Sequence, residues 1–279
     1  YDLFCTLWLP DWYDFRAARG SGAGQIRIES RLSLYYQLER DRGEIIKRLN
    51  AAIYEAKDHE NPFRRSSPRK LNAFIFGSVA GGTGSGGFLM LAYLLQELIE
   101  MAGWIPQVHA TLLMPALFHR DVKGALKPDI DANGYAALKE LEHMMRLGYE
   151  EGPAELEFHY NPNHPERTHV TGMPFTFCYI LDLPAQMSVA PFREAIADAV
   201  FLQLFSPIIG TQQGEYDNYE KHQKTLAHGY SVHYGSFGCS MLVLPDDDLI
   251  EYCAARYACK AIDSYLTFHL PERAGEVVN

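Results

Sequence analysis

The run Gly81-Gly82-Thr83-Gly84-Ser85-Gly86-Gly87 carries the most chemistry in this chain. It stands between an apolar, strand-like segment at 71–79 and a helix-like one at 88–101. Five glycines in seven residues let the backbone turn sharply and leave its N–H groups uncovered by side chains. A helix that starts directly afterwards adds unpaired donors and the positive end of its dipole. Such a turn binds anions, and phosphate is the usual one. A tight backbone crossing with no ligand is the structural alternative.

Three phosphate loops compete for this run. A Walker loop needs Gly-x-x-x-x-Gly-Lys-Ser/Thr, and no lysine follows the glycines. A dinucleotide loop needs Gly-x-Gly-x-x-Gly, which Gly82, Gly84 and Gly87 satisfy. It also needs an acid on the next strand to hold the ribose, and the strand candidate at 107–115 has neither Asp nor Glu. An NAD(P)-linked enzyme is therefore the lesser reading.

The third reading rests on a pair of loops. Gly-Gly-Thr-Gly-Ser-Gly at a strand-to-helix turn resembles the phosphate loop of the tubulin/FtsZ superfamily. Arg19-Gly20-Ser21-Gly22-Ala23-Gly24-Gln25, ahead of a long helical segment, resembles that family's Gly-Ala-Gly loop. The two come in the family's order. Asn133-Gly134-Tyr135-Ala136-Ala137-Leu138-Lys139-Glu140-Leu141 and Tyr234-Gly235-Ser236-Phe237-Gly238 resemble bacterial tubulin-like proteins in particular. The likeness runs loosely from about residue 19 to 263.

The resemblance implies a guanine-nucleotide-binding protein that self-assembles head to tail and hydrolyses GTP at the subunit interface. The implied cofactors are GTP or GDP with Mg2+. Gly81, Gly82, Thr83, Gly84, Ser85 and Gly86 would cradle phosphates, with Thr83 and Ser85 as added hydroxyl donors or helix caps. Gly22, Ala23 and Gly24 would face the terminal phosphate, and Arg27 and Arg31 would pair with its charge or lie on a solvated surface. The loop at 115–121 would lie near the ribose, and Asn133 would reach ribose or base. The stretch at 210–220 corresponds to the loop that completes the neighbouring subunit's site, so Glu215 and Asp217 are its candidate catalytic acids. It lacks the Asn-x-Asp-x-x-Asp spacing of FtsZ, and a solvated loop is the competing reading. A complete domain of this kind would begin with two further strands and another glycine-rich loop. A non-hydrolysing scaffold within a larger complex is therefore the alternative function.

Composition narrows the classes. A net charge of −10 argues against a nucleic-acid surface. No apolar run reaches the ~18 to 20 residues of a membrane span, and no signal peptide is visible, which points to the cytoplasm. Five scattered cysteines with no CxxC pair suit reduced core thiols. His159, His164 and His169 are evenly spaced, but a zinc site there is the minor reading, and no metal centre is assigned.

Strand-like and helix-like segments alternate through the first two-thirds of the chain. That order predicts an α/β fold, a parallel Rossmann-like sheet with helices on both faces. One amphipathic helix is expected at 31–57, then strands at 71–79 and 108–114 with the helix from 88 between them. A helix capped by Asp131 or Asn133, a strand at 175–181, a helix at 192–205, a strand at 232–244 and a helix at 246–266 complete the order. The nucleotide-binding domain is expected at 1–226, and the beginning of a second, α+β domain at 227–279.

Overall fold

The computed structural model describes residues 25–40, 43–58, 69–120, 122, 124–183, 187–205, 214, 233–237 and 246–266. It divides into two compact units, Tyr1–Gly238 and Cys239–Asn279. The boundary expected at 226/227 falls outside the described residues.

The first described elements of the first unit are helices α1 (Arg27–Arg40) and α2 (Glu44–Asp58). One continuous helix was expected here. Gly43 divides it, at a φ of 79° that a side chain rarely adopts. Strand β1 (Lys70–Ser78), helix α3 (Gly82–Met101) and strand β2 (Ile105–Leu113) follow. Gly103, at φ 81°, ends α3 as expected, its N–H donating to the Glu100 carbonyl at 2.8 Å.

Short 3-10 turns at Pro115–Phe118 and Gly124–Leu126 lead into α4 (Lys127–Met145). Neither Asp131 nor Asn133 caps this helix. It begins several residues earlier, with a proline in its first turn, where a missing N–H costs nothing. Asp131 instead meets the His119 ring at 2.7 Å. A two-residue antiparallel ladder, β3 (Leu156–Glu157) with β4 (His169–Val170), precedes β5 (Phe177–Leu181), α5 (Val189–Phe205) and β6 (Tyr234–Gly235). Of the strand expected at 232–244, β6 is the described part.

The sheet is parallel throughout, in the order β1-β2-β5-β6, and is flanked by helices. Register pairs Lys70 with Ile105 through Ser78 with Leu113, and His109 with Phe177 through Leu113 with Leu181. The carboxyl ends of three strands therefore meet at Ser78, Leu113 and Leu181. In parallel α/β sheets this is the edge where ligands bind. Ile75, Val108, Ala110, Leu112 and Cys178 line one face, packed with Phe88, Met90 and Leu94 of α3 and Ala137, Leu141 and Met145 of α4.

His109 and Glu97 are among the polar groups buried in this apolar frame. His109 of β2 is 1% exposed, stacks on Phe74 at 5.1 Å and approaches Asn72 Oδ1 at 3.3 Å. Glu97, on otherwise apolar α3, is 2% exposed. Asn161 donates to its carboxylate at 3.0 Å and Arg167 pairs with it at 3.1 Å. Burial and the Glu97 charge push the Tyr160 hydroxyl up to about 12. Tyr93 donates to the Gly172 carbonyl, and Gln96 to those of Met173 and Pro174, each at 2.9 Å. A stretch with little regular structure is thus held on α3 by buried polar anchors.

The second unit contains α6 (Asp246–Ala261), which continues as a π-helical turn at Ile262–Leu266. Its Cys253 and Cys259 are exposed, contrary to the expectation of core thiols, whereas Cys178 is buried. Burial raises the Cys178 thiol well above its ordinary pKa. Cys5 and Cys239 lie outside the described residues.

Candidate phosphate-binding site at the start of helix α3

The glycine run is the first two turns of α3, and not a loop that precedes the helix. Glycine is a poor helix former, about 1 kcal/mol worse than alanine, so close packing must account for it. A Cβ on Gly82 would lie 2.7 Å from the Ile26 amide nitrogen. One on Gly84 would strike the Ser78 carbonyl oxygen, and one on Gly86 the Arg27 carbonyl oxygen. These glycines let α3 fold back over the end of β1 and let the start of α1 lie against it.

Gly81 is the N-cap, in extended conformation and without a side-chain cap. The first intrahelical bond runs from the Ser85 N–H to the Gly81 carbonyl at 3.2 Å. The N–H groups of Gly82, Thr83 and Gly84 therefore have no acceptor within the helix. The first turn carries no acid, so nothing on the helix itself competes with an incoming anion. Thr83 is exposed. The Ser85 hydroxyl is buried and donates to the Gly81 carbonyl at 2.5 Å, which is neither a capping bond nor a free donor.

Gln25 borders the turn. Its φ is 71°, which is uncommon for a residue with a side chain. Its Oε1 is buried without a hydrogen-bond partner, 3.9 Å from where a Cβ on Gly81 would stand. A carboxamide offers both a donor and an acceptor, so this group suits a polar ligand at the turn. Asn133 donates through Nδ2 to the Gln25 carbonyl at 2.8 Å and the Ala80 carbonyl at 3.3 Å. It therefore lies beside the turn, with its nitrogen bound to main chain.

Arg27 and Arg31 are not solvated surface groups, since both are partly buried. Arg27 makes a two-pronged contact with Glu140, at 2.9 and 2.5 Å, and donates to the Ser85 carbonyl at 3.0 Å. Arg31 lies over the Phe158 ring, 4.0 Å from its centroid, and burial lowers its pKa well below the ordinary guanidinium value. Both line a cavity of about 160 Å³ with Ile28, Gly86 and Glu140, on the flank of α3. The reason is positional: the chain enters α1 against the first turns of α3, so these side chains run down its side.

Pro115 of the loop expected near the ribose packs on α4, where a Cβ on Gly134 would lie 2.5 Å from its Cγ. Gly22, Ala23, Gly24, Glu215 and Asp217 lie outside the described residues. Among the described residues no cluster of His, Cys, Asp or Glu could hold a metal ion. His159 and His164 instead meet Glu157 and Glu166, at 3.1 and 3.0 Å. Sequence reasoning missed Gln25, Ser30 and Glu140. Ser30 donates to the Thr83 carbonyl at 3.0 Å. Glu140 had one signal, its place seven residues after Asn133 and so on the same face of a helix.

The chain is thus an α/β protein in which a parallel sheet sends the carboxyl end of β1 into a glycine-rich, uncapped helix, an arrangement able to accept an anion. Residues 6–263 match the family model described as tubulin-like, and the chain belongs to that family, within the tubulin/FtsZ superfamily. Comparison with curated proteins and with solved structures gives no match. Proteins of the family generally bind guanine nucleotides. No described helix is long and apolar enough to cross a membrane.

Proposed function

We propose that this protein binds GTP or GDP on the first turn of α3 and self-assembles head to tail in the cytoplasm, with GTP hydrolysed where two subunits meet. The observation that carries the reading is the uncapped start of α3, with three N–H groups free of helical acceptors at the carboxyl edge of the sheet. Gly82, Thr83 and Gly84 would hold phosphate oxygens through main-chain donors, with no lysine required. Gln25 and Asn133 flank the same turn. Gly22, Ala23 and Gly24 would close over the terminal phosphate, and Mg2+ would accompany the phosphates with few protein ligands. The nucleotide supplies the anhydride bond that is cut. Glu215 and Asp217 of the adjoining subunit would orient the attacking water and take its proton. Such a contact joins unlike surfaces, and unlike contacts that do not close produce filaments.

A second reading, a scaffold that does not hydrolyse nucleotide, has its own support. Gly82, Gly84 and Gly86 are all required by packing within the chain, and Arg27 is engaged by Glu140. The fold therefore accounts for these residues without turnover.

The readings separate by phosphate release from GTP, measured over a protein concentration series beside sedimentation with GTP and with GDP. The assembling GTPase gives a rate per subunit that rises with concentration, and a pellet that needs GTP. A rate at background with GTP still bound leaves the scaffold.

A further inference from the structure

Helix α4 touches the candidate site at two places. Asn133 binds the Gln25 and Ala80 carbonyls, which joins the entry of α1 to the turn after β1. Glu140, two turns further along the same face, grips Arg27, which also bonds the Ser85 carbonyl in the second turn of α3. Ser30 adds a bond from α1 to the Thr83 carbonyl. Each contact ends on a residue within the first turns of α1 or at the β1–α3 junction. A two-pronged arginine–carboxylate contact fixes orientation as well as distance. The Arg27 side chain is 15% exposed, which shields part of the contact from solvent.

We propose that Asn133 and Glu140 of α4, with Arg27 of α1, form a clamp whose role is to position the nucleotide site. The clamp holds Gln25, at the entry of α1, in register with the first turn of α3. None of the three needs to carry phosphate charge; they act through the main-chain groups they hold. Gln25 is the residue under load. Its left-handed backbone costs free energy that the surrounding contacts must offset, and the Asn133 bond to its carbonyl is the contact next to that strain. This inference rests on the nucleotide-binding reading of the site.

The test compares wild type, Arg27→Ala, Glu140→Gln and the double variant by titration with a fluorescent GTP analogue, with thermal unfolding of each. Glu140→Gln keeps the size of the side chain and removes its charge. Expected is a loss of affinity of about tenfold in Glu140→Gln and at least that in Arg27→Ala, which also loses the Ser85 bond, with little further loss in the double variant beyond Arg27→Ala, because the Glu140 contact is already gone there. Melting temperatures should shift by only a few degrees, since Glu140 is half exposed. Where turnover is measurable, KM rises and kcat holds. Unchanged affinity with a lowered melting temperature would make the contact merely structural and overturn the clamp. Wild type that binds no nucleotide would overturn the functional reading instead. Amide exchange over residues 25–30 then decides the clamp by itself: faster exchange in Glu140→Gln upholds the positioning contact, and unchanged exchange overturns it.

Discussion

Replacing Gly84 by alanine lowers the stability of the protein by about 3 kcal/mol or more, at the severe end of overpacking changes. Gly84 is inside a helix, so intrinsic propensity alone predicts a gain of about 1 kcal/mol. Sterics decides the sign. The added methyl would strike the Ser78 carbonyl oxygen, which belongs to the backbone of a strand paired along its length with β2, and neither side can yield by changing a rotamer. Gly77 supplies the control. It lies one residue before Ser78 in the same strand, its backbone is not left-handed, and a Cβ there meets no neighbour within 4 Å. Urea unfolding should therefore show a large drop in midpoint for Gly84→Ala and almost none for Gly77→Ala. Equal effects would mean that α3 does not cross the end of β1 as described.

Acid should unfold the protein partly through His109. Burial lowers the pKa of this ring to about 4, against about 6.5 for an exposed histidine. The unfolded chain therefore takes up the proton first. The stability at stake is fully present above pH 6.5 and is lost as the pH falls from 6.5 towards 4. The loss is about 2 kcal/mol between pH 7 and pH 5, and about 3 kcal/mol at pH 4. Other groups titrate in the same window, so the informative quantity is the difference from a variant. His109→Phe keeps a ring against Phe74 and removes the titrating group, although it gives up the Asn72 contact. It should be less stable at pH 7 and should show a shallower decline towards pH 5. Parallel declines would remove His109 from the account.

The sheet was readable because short apolar runs, bounded by turn residues, alternate with helix-like segments, the order expected of a parallel α/β sheet. Strands β1 and β2 fall within three residues of where the sequence alone puts them. The glycine run reads from the sequence as a loop ahead of a helix, whereas it forms the first two turns of α3. The glycines are where the Ile26, Arg27 and Ser78 backbones press against the helix, and the first two of these contacts come from more than fifty residues away in the chain and leave no trace in local propensity. The start of α4 was missed for a related reason. Asp131 and Asn133 look like caps, yet a proline and two short turns begin the helix earlier and leave both side chains for tertiary contacts. Arg27 shows the limit of charge as a guide, since the carboxylate it prefers lies 113 residues away in sequence. Glu97 sits in a largely apolar helix, and its partners Asn161 and Arg167 come from a stretch that reads as loop. Pairings of this kind are set by the fold as a whole, and periodicity does not encode them.

The central claim is that the first turn of α3 receives the phosphates of a guanine nucleotide. It is tested most directly by following the backbone amide resonances of Gly82, Thr83 and Gly84 during titration with GTP, with NADH as the comparison. Saturable shifts at these three amides with GTP, and none with NADH, are the predicted result. GTP binding that leaves them unmoved, or no binding at all, would contradict it.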